Sequence, residues 1–95
     1  MTGPQPIDEA TTPRLPRHVK LRFDEARGAW VLLAPERVLM PDEIACDVLK
    51  RLDGKTQLGA LIDALARDYE APRDLVAGDV TELLRDLAGK GMVSL

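Results

Sequence analysis

At Pro41 the spacing of apolar residues changes from two to between three and four, and this change of period limits what the chain can become. Before it, Val19, Leu21 and Phe23 alternate with Lys20, Arg22 and Asp24, as in a half-buried strand. After it, Ile44, Ala45, Val48, Leu49 and Leu52 fall on one face of a helix. Strands come first and helices second, which is the order of an α+β domain and not of a βαβ array.

The sheet half divides at its turn residues. Asp24-Glu25-Ala26-Arg27-Gly28 has the length and terminal glycine of a hairpin loop, so residues 29–34, which hold the only tryptophan, Trp30, return as a second strand. Pro35 cannot donate to a ladder, so Pro35-Glu36 reads as a corner. Arg37, Val38, Leu39 and Met40 then form a short extended third strand. The residue before a proline is pushed to extended geometry, which keeps Met40 strand-like, while Pro41, Asp42 and Glu43 suit a first helical turn. Strand is therefore expected to pass directly into helix, leaving a sheet edge that carries no reaction chemistry.

In the helical half, Asp53-Gly54 closes the first helix at a left-handed position and Thr56 is the expected N-cap of a second. Leu58, Leu61, Ile62, Leu65, Ala66 and Tyr69 form the second stripe, and Pro72 starts a third helix presenting Val76, Val80, Leu83, Leu84 and Leu87. Gly91 ends it, and residues 92–95 are apolar enough for a short final strand or a tail packed on the core. Cys46 falls off the stripe of the first helix and reads as a small helical residue.

Residues 1–13 hold three of the seven prolines, three threonines and almost no bulky apolar side chains. Such a segment cannot offset the entropy of ordering, so residues 1–14 are expected to be a disordered tail, of which residues 1–13 are dispensable for folding and binding, and residues 15–95 the folded domain. No apolar run approaches the roughly 20 residues that span a bilayer, no secretory signal pattern opens the chain, and a single cysteine builds no disulfide framework. A cytoplasmic protein with no membrane role is expected. Charge is uneven: residues 14–37 carry six basic and three acidic side chains, residues 41–95 seven basic and eleven acidic. The helical half is the acidic one, as a solvated helical surface allows, and the basic strand region suits an acidic partner segment.

Chemistry is scarce. Nucleophilic catalysis needs a nucleophile, a base and an orienting group, and the chain has one serine, one cysteine and one histidine, far apart in sequence. No metal-ligand spacing or glycine-rich phosphate cradle is present, so neither enzyme activity nor a cofactor or metal is expected.

The motifs Leu21-Arg22-Phe23-Asp24, Leu32-Leu33-Ala34-Pro35-Glu36, Leu52-Asp53-Gly54 with Thr56, Tyr69, Asp79-Val80 with Leu83-Leu84, and Gly91-Met92-Val93 follow one another in an order that resembles a known family. That family is synthesis protein D of pyrroloquinoline quinone (PQQ) biosynthesis, a precursor-peptide chaperone among the recognition elements of ribosomally made, modified peptides. The likeness covers residues 15–95; Pro41 departs from it, since the family more often has an apolar residue there. The resemblance implies a small winged-helix-like domain that holds a precursor peptide and presents it to a radical S-adenosylmethionine enzyme, which cross-links a Glu and a Tyr of the peptide. It further implies that the peptide adds antiparallel to the third strand, on Arg37, Val38, Leu39 and Met40, in a cleft walled by the third helix, for which the Val76, Asp79, Val80 and Leu83 edge is chosen. Val38, Leu39 and Met40 as plain core, and Asp79 as a solvated helix residue, remain open alternatives.

Two other classes compete. A winged helix can bind nucleic acid, but the third helix carries Asp74, Asp79, Glu82 and Asp86 against Arg73, Arg85 and Lys90, where phosphates call for a basic face. A docking module that joins enzymes without gripping peptide is the third reading.

Overall fold

The computed structural model describes residues 7–95, and its elements follow the order read from the sequence: three strands, then three helices. β1 (Lys20–Asp24), β2 (Ala29–Ala34) and β3 (Arg37–Leu39) make one antiparallel sheet in the order β1-β2-β3. Leu21 lies opposite Leu32, and Leu32 opposite Leu39, so one leucine from each strand lines the same face. Leu32 is fully buried at the centre of that row. Phe23 does not complete the expected half-buried alternation: it is half exposed and meets Trp30 edge to face at 5.6 Å. Lys50 Nζ sits 4.2 Å above the Trp30 ring, which closes that end of the sheet with a cation–π contact.

The helices α1 (Glu43–Lys50), α2 (Leu58–Asp68) and α3 (Arg73–Gly89) cover the leucine face. Val48, Leu49, Leu58, Ile62, Leu65, Leu84 and Met92 join Leu32 in the core. Pro41 stays outside the first turn of α1, because Asp42 holds the N-cap with extended backbone and its carboxylate accepts the Ala45 N–H at 2.8 Å. Cys46 is buried, against the reading that put it off the apolar face; its thiol donates to the Pro41 carbonyl at 3.6 Å, and Ile44 takes the exposed position instead. Nor does Thr56 cap α2. Asp53 accepts the Lys55 and Thr56 N–H groups and the Thr56 hydroxyl, so Thr56 is spent in the turn around Gly54, whose φ is +74°.

The start of α2 is satisfied from elsewhere. Gln57, at its cap, makes no side-chain cap bond, and the N–H groups of Leu58 and Gly59 donate to the Thr11 and Glu9 carbonyls at 2.7 and 2.9 Å. Residues 7–14 thus form a strap and not the disordered tail expected of them; residues 1–6 of that expectation lie outside the described residues. Pro13 is fully buried, and Arg14 exchanges two backbone bonds with Ser94. The Arg73 guanidinium spans the Glu9 and Asp63 carboxylates, tying the strap to α2 and α3. Where the strap crosses, α2 carries Gly59, because a Cβ there would lie 3.0 Å from Glu9 Oε1 and 3.3 Å from Glu9 Cβ. Sequence composition hides this anchor, since it consists of carbonyls offered to a helix N-terminus, one carboxylate and only two apolar side chains, Ile7 and Pro13.

At the other end, α3 stops at Gly89, Gly91 takes a φ of +74°, and the Met92 N–H returns to the Leu87 carbonyl. Of the two alternatives for residues 92–95, the packed tail is nearer: Met92 and Val93 are buried, and Ser94 bridges to Arg14.

Candidate functional site

β3 bonds to β2 on one side only, so its other edge is open among the described residues. The register decides which of its groups are available. Ala34 and Arg37 face each other across the two-residue connection Pro35-Glu36, and such a closing pair exchanges both of its ladder bonds. Leu32 and Leu39, two pairs on, do the same, while the pair between them, Leu33 and Val38, does not. Arg37 and Leu39 therefore spend their N–H and C=O on β2, whereas those of Val38 point outward, as those of Met40, just past the strand, would if the alternation continued. Val38 and Met40 are more than half exposed, at 54% and 58%.

Beside this edge lies a cleft of about 270 Å³, bounded by Leu39, Met40 and Pro41 on one side and by Leu83, Asp86 and Leu87 of α3 on the other. Lys90 also lines it and pairs with Asp86 at 2.9 Å, which sets a neutralised ion pair at its margin. Of the residues expected at the site, Arg37, Val38, Leu39 and Met40 lie on the edge and Leu83 lines the cleft. Val76, Asp79 and Val80 do not line it; they border a second groove farther back along α3, with Ile44, Tyr69 and Leu75. The cleft wall is instead the Leu83, Asp86, Leu87, Lys90 face. Its spacing of three, four and seven residues is plain in the sequence, but only the direction in which α3 passes β3 selects it.

The remaining polar chemistry braces the helices. The Tyr69 hydroxyl donates to Asp47 at 2.6 Å, and Arg51 bonds both Asp47 and Asp68, so the end of α2 is locked to α1. The Arg51 hydrogen bonds, and after them that of Tyr69, hold the Asp47 carboxyl below the usual carboxylate range. Burial pushes the Cys46 thiol up, which leaves it protonated and a poor nucleophile at neutral pH. No group of three or more His, Cys, Asp or Glu side chains among the described residues is placed to hold a metal ion. No helix among them is long and apolar enough to cross a membrane.

An antiparallel three-stranded sheet, open at β3 and backed by three helices with a cleft along the last, defines a small winged-helix-like α+β domain. The family model for coenzyme PQQ synthesis protein D (PqqD) matches residues 29–93, and the chain belongs to that family. It is 51% identical to a PqqA binding protein of Bradyrhizobium diazoefficiens over 99% of this chain and 93% of that protein. With the PqqD part of the Methylobacterium extorquens PqqCD protein, a stand-alone recognition element for ribosomally synthesized, modified peptides solved by NMR, it shares 41% identity and a TM-score of 0.74, covering 87% of this chain and 88% of the other. The crystal structure of PqqD from Xanthomonas campestris is similar at 39% identity and a TM-score of 0.60, over 94% and 99% of the two chains.

Proposed function

We propose that this chain is a non-catalytic peptide chaperone of PQQ biosynthesis, which takes up the PqqA precursor peptide as a fourth strand on β3 and presents it to the radical S-adenosylmethionine enzyme of the pathway. The observation that carries the reading is the open β3 edge, with the main-chain groups of Val38 directed outward, set beside an apolar cleft. The names of its relatives, PqqA binding proteins among them, support the choice of peptide. Magnitudes divide the work between backbone and side chains. Val38 and Met40 offer at most four ladder bonds, worth about 0.5 to 1.5 kcal/mol each, against roughly −8 kcal/mol for a micromolar complex. The remainder comes from peptide side chains entering the Leu39, Leu83 and Leu87 cleft, at about 1.5 to 3 kcal/mol for each large apolar group buried. Main-chain pairing confers affinity for extended peptide in general, and the cleft selects among sequences.

An NMR titration of labelled protein with synthetic PqqA tests this. The amides of Val38 and Met40 are expected to shift and gain exchange protection, together with Leu83 and Leu87. Shifts confined to α1 and α2, with β3 silent, would rule strand addition out. Adding the radical enzyme separates a chaperone from a mere docking module, which would bind the enzyme and leave the peptide alone.

A further inference from the structure

Past the end of β3 the depression beside α3 continues. The cleft under Leu39 and Met40 shares Leu83 and Asp86 with a shallow depression that also includes Asp79 and Glu82. That depression in turn shares Asp79 with the second groove, about 240 Å³, where the start of α1, the end of α2 and the start of α3 converge. Ile44, Tyr69 and Leu75 stand around this groove at 57%, 44% and 59% exposure. Large apolar side chains gathered in water around one apolar hollow mark a binding surface more often than a neutral one.

Strand polarity says which part of a peptide would reach it. Lys90 borders the same depression as Glu36 and Arg37, Leu83 the same as Met40, and Val76 the same as Ile44. Travelling along β3 from Arg37 to Met40 and onward therefore means travelling backward along α3, from Lys90 to Leu75. A strand added antiparallel to β3 runs the opposite way, so the residues that precede its ladder segment pass over Ile44. The geometry points to a second anchor site: the groove of Ile44, Tyr69 and Leu75 takes a bulky apolar side chain lying N-terminal to the ladder segment of the same peptide. Cleft and groove are centred near Asp86 and near Ala77 of α3, about 14 Å apart at 1.5 Å per helical residue. An extended chain covers that in about four residues. Asp79, Glu82 and Asp86 outnumber Arg85 in the lining of the intervening depression, so the connecting segment is one with more positive charge than carboxylate.

This inference rests on the strand-addition reading, and its test keeps the two apart. The double variant Ile44→Ser/Leu75→Ser opens no core cavity, since both side chains are more than half exposed. Calorimetric titration with synthetic full-length PqqA from Bradyrhizobium diazoefficiens should show about tenfold weaker binding than the unaltered chain. The amides of Val38 and Met40 should still shift at saturation. The same peptide trimmed from its N-terminus to its ladder residues should bind both proteins alike. Equal affinities for the full-length peptide would overturn the second anchor while leaving strand addition intact. Silence of Val38 and Met40 in the unaltered chain would overturn both. Concentration-dependent dimerisation that the double variant abolishes would assign the groove to a second copy and overturn it as well.

Discussion

Val38 is the residue on which the open edge turns, because its N–H is free of β2 while those of its two strand neighbours are not. Val38→Pro should therefore leave the fold intact and weaken PqqA binding by about 1 kcal/mol or more, the worth of one ladder bond, as calorimetry would show. Leu39→Pro removes a bond within the sheet, and thermal unfolding should find it destabilised before any peptide is added. Asp42 fixes the handover from strand to helix through its cap on the Ala45 N–H. Asp42→Ala should cost about 1 kcal/mol of stability in a denaturant titration. Asp47 supplies a pH dependence. Its folded pKa lies below the ordinary carboxylate value, chiefly through Arg51 and then Tyr69, so the unfolded chain takes up a proton first as the solution is acidified. Its contribution is complete above about pH 5 and is lost as pH falls through the unfolded and then the lowered folded value. Stability measured against pH should fall less steeply on the acid side for Asp47→Asn than for the unaltered chain.

The strap of residues 7–14 is the element that changes the account of this domain most. A chain beginning at Leu15 loses the carbonyls that cap Leu58 and Gly59, the buried Pro13 and the Arg14 partnership with Ser94. Its melting temperature should be lower by about 5 °C or more, the equivalent of roughly 1 kcal/mol in a domain of this size. The main elements were legible from turn residues and apolar spacing: Gly28 and Pro35 bound the second strand, and stripes such as Leu58, Leu61, Ile62 and Leu65 mark the helices, although Phe23 departs from the alternation expected of the first strand. The strap has no period to read, since its anchors are main-chain groups, the Glu9 carboxylate and the side chains of Ile7 and Pro13. Likewise the edge residues 37–40 were legible from Pro35 and Pro41, but the division between inward and outward residues follows from the register of Ala34 with Arg37, a pairing that no local pattern states. The helical wall required the relative direction of β3 and α3, which is tertiary information. Leu83 is therefore named from sequence, but not Asp86, Leu87 and Lys90, which line the cleft with it.

Across the whole molecule, charge follows architecture: the sheet half is basic and the helical half acidic. Asp74, Asp79, Glu82 and Asp86 are all exposed on α3, the helix a DNA-binding winged helix would lay in a groove. Fluorescence anisotropy with mixed-sequence duplex DNA should accordingly show no binding that strengthens as salt is lowered. The same distribution would orient a peptide bound as proposed, drawing its positive stretches toward α3 and its carboxylates toward Lys20, Arg22 and Arg37.

If the peptide adds to β3 as proposed, alternation along that strand also means that the protein counts its ligand in twos. A peptide displaced by one residue would meet Val38 with the wrong half of its backbone and turn every cleft-seeking side chain toward water, whereas a displacement of two restores both. Errors of alignment thus come in even steps, and a single inserted residue does more harm than a pair.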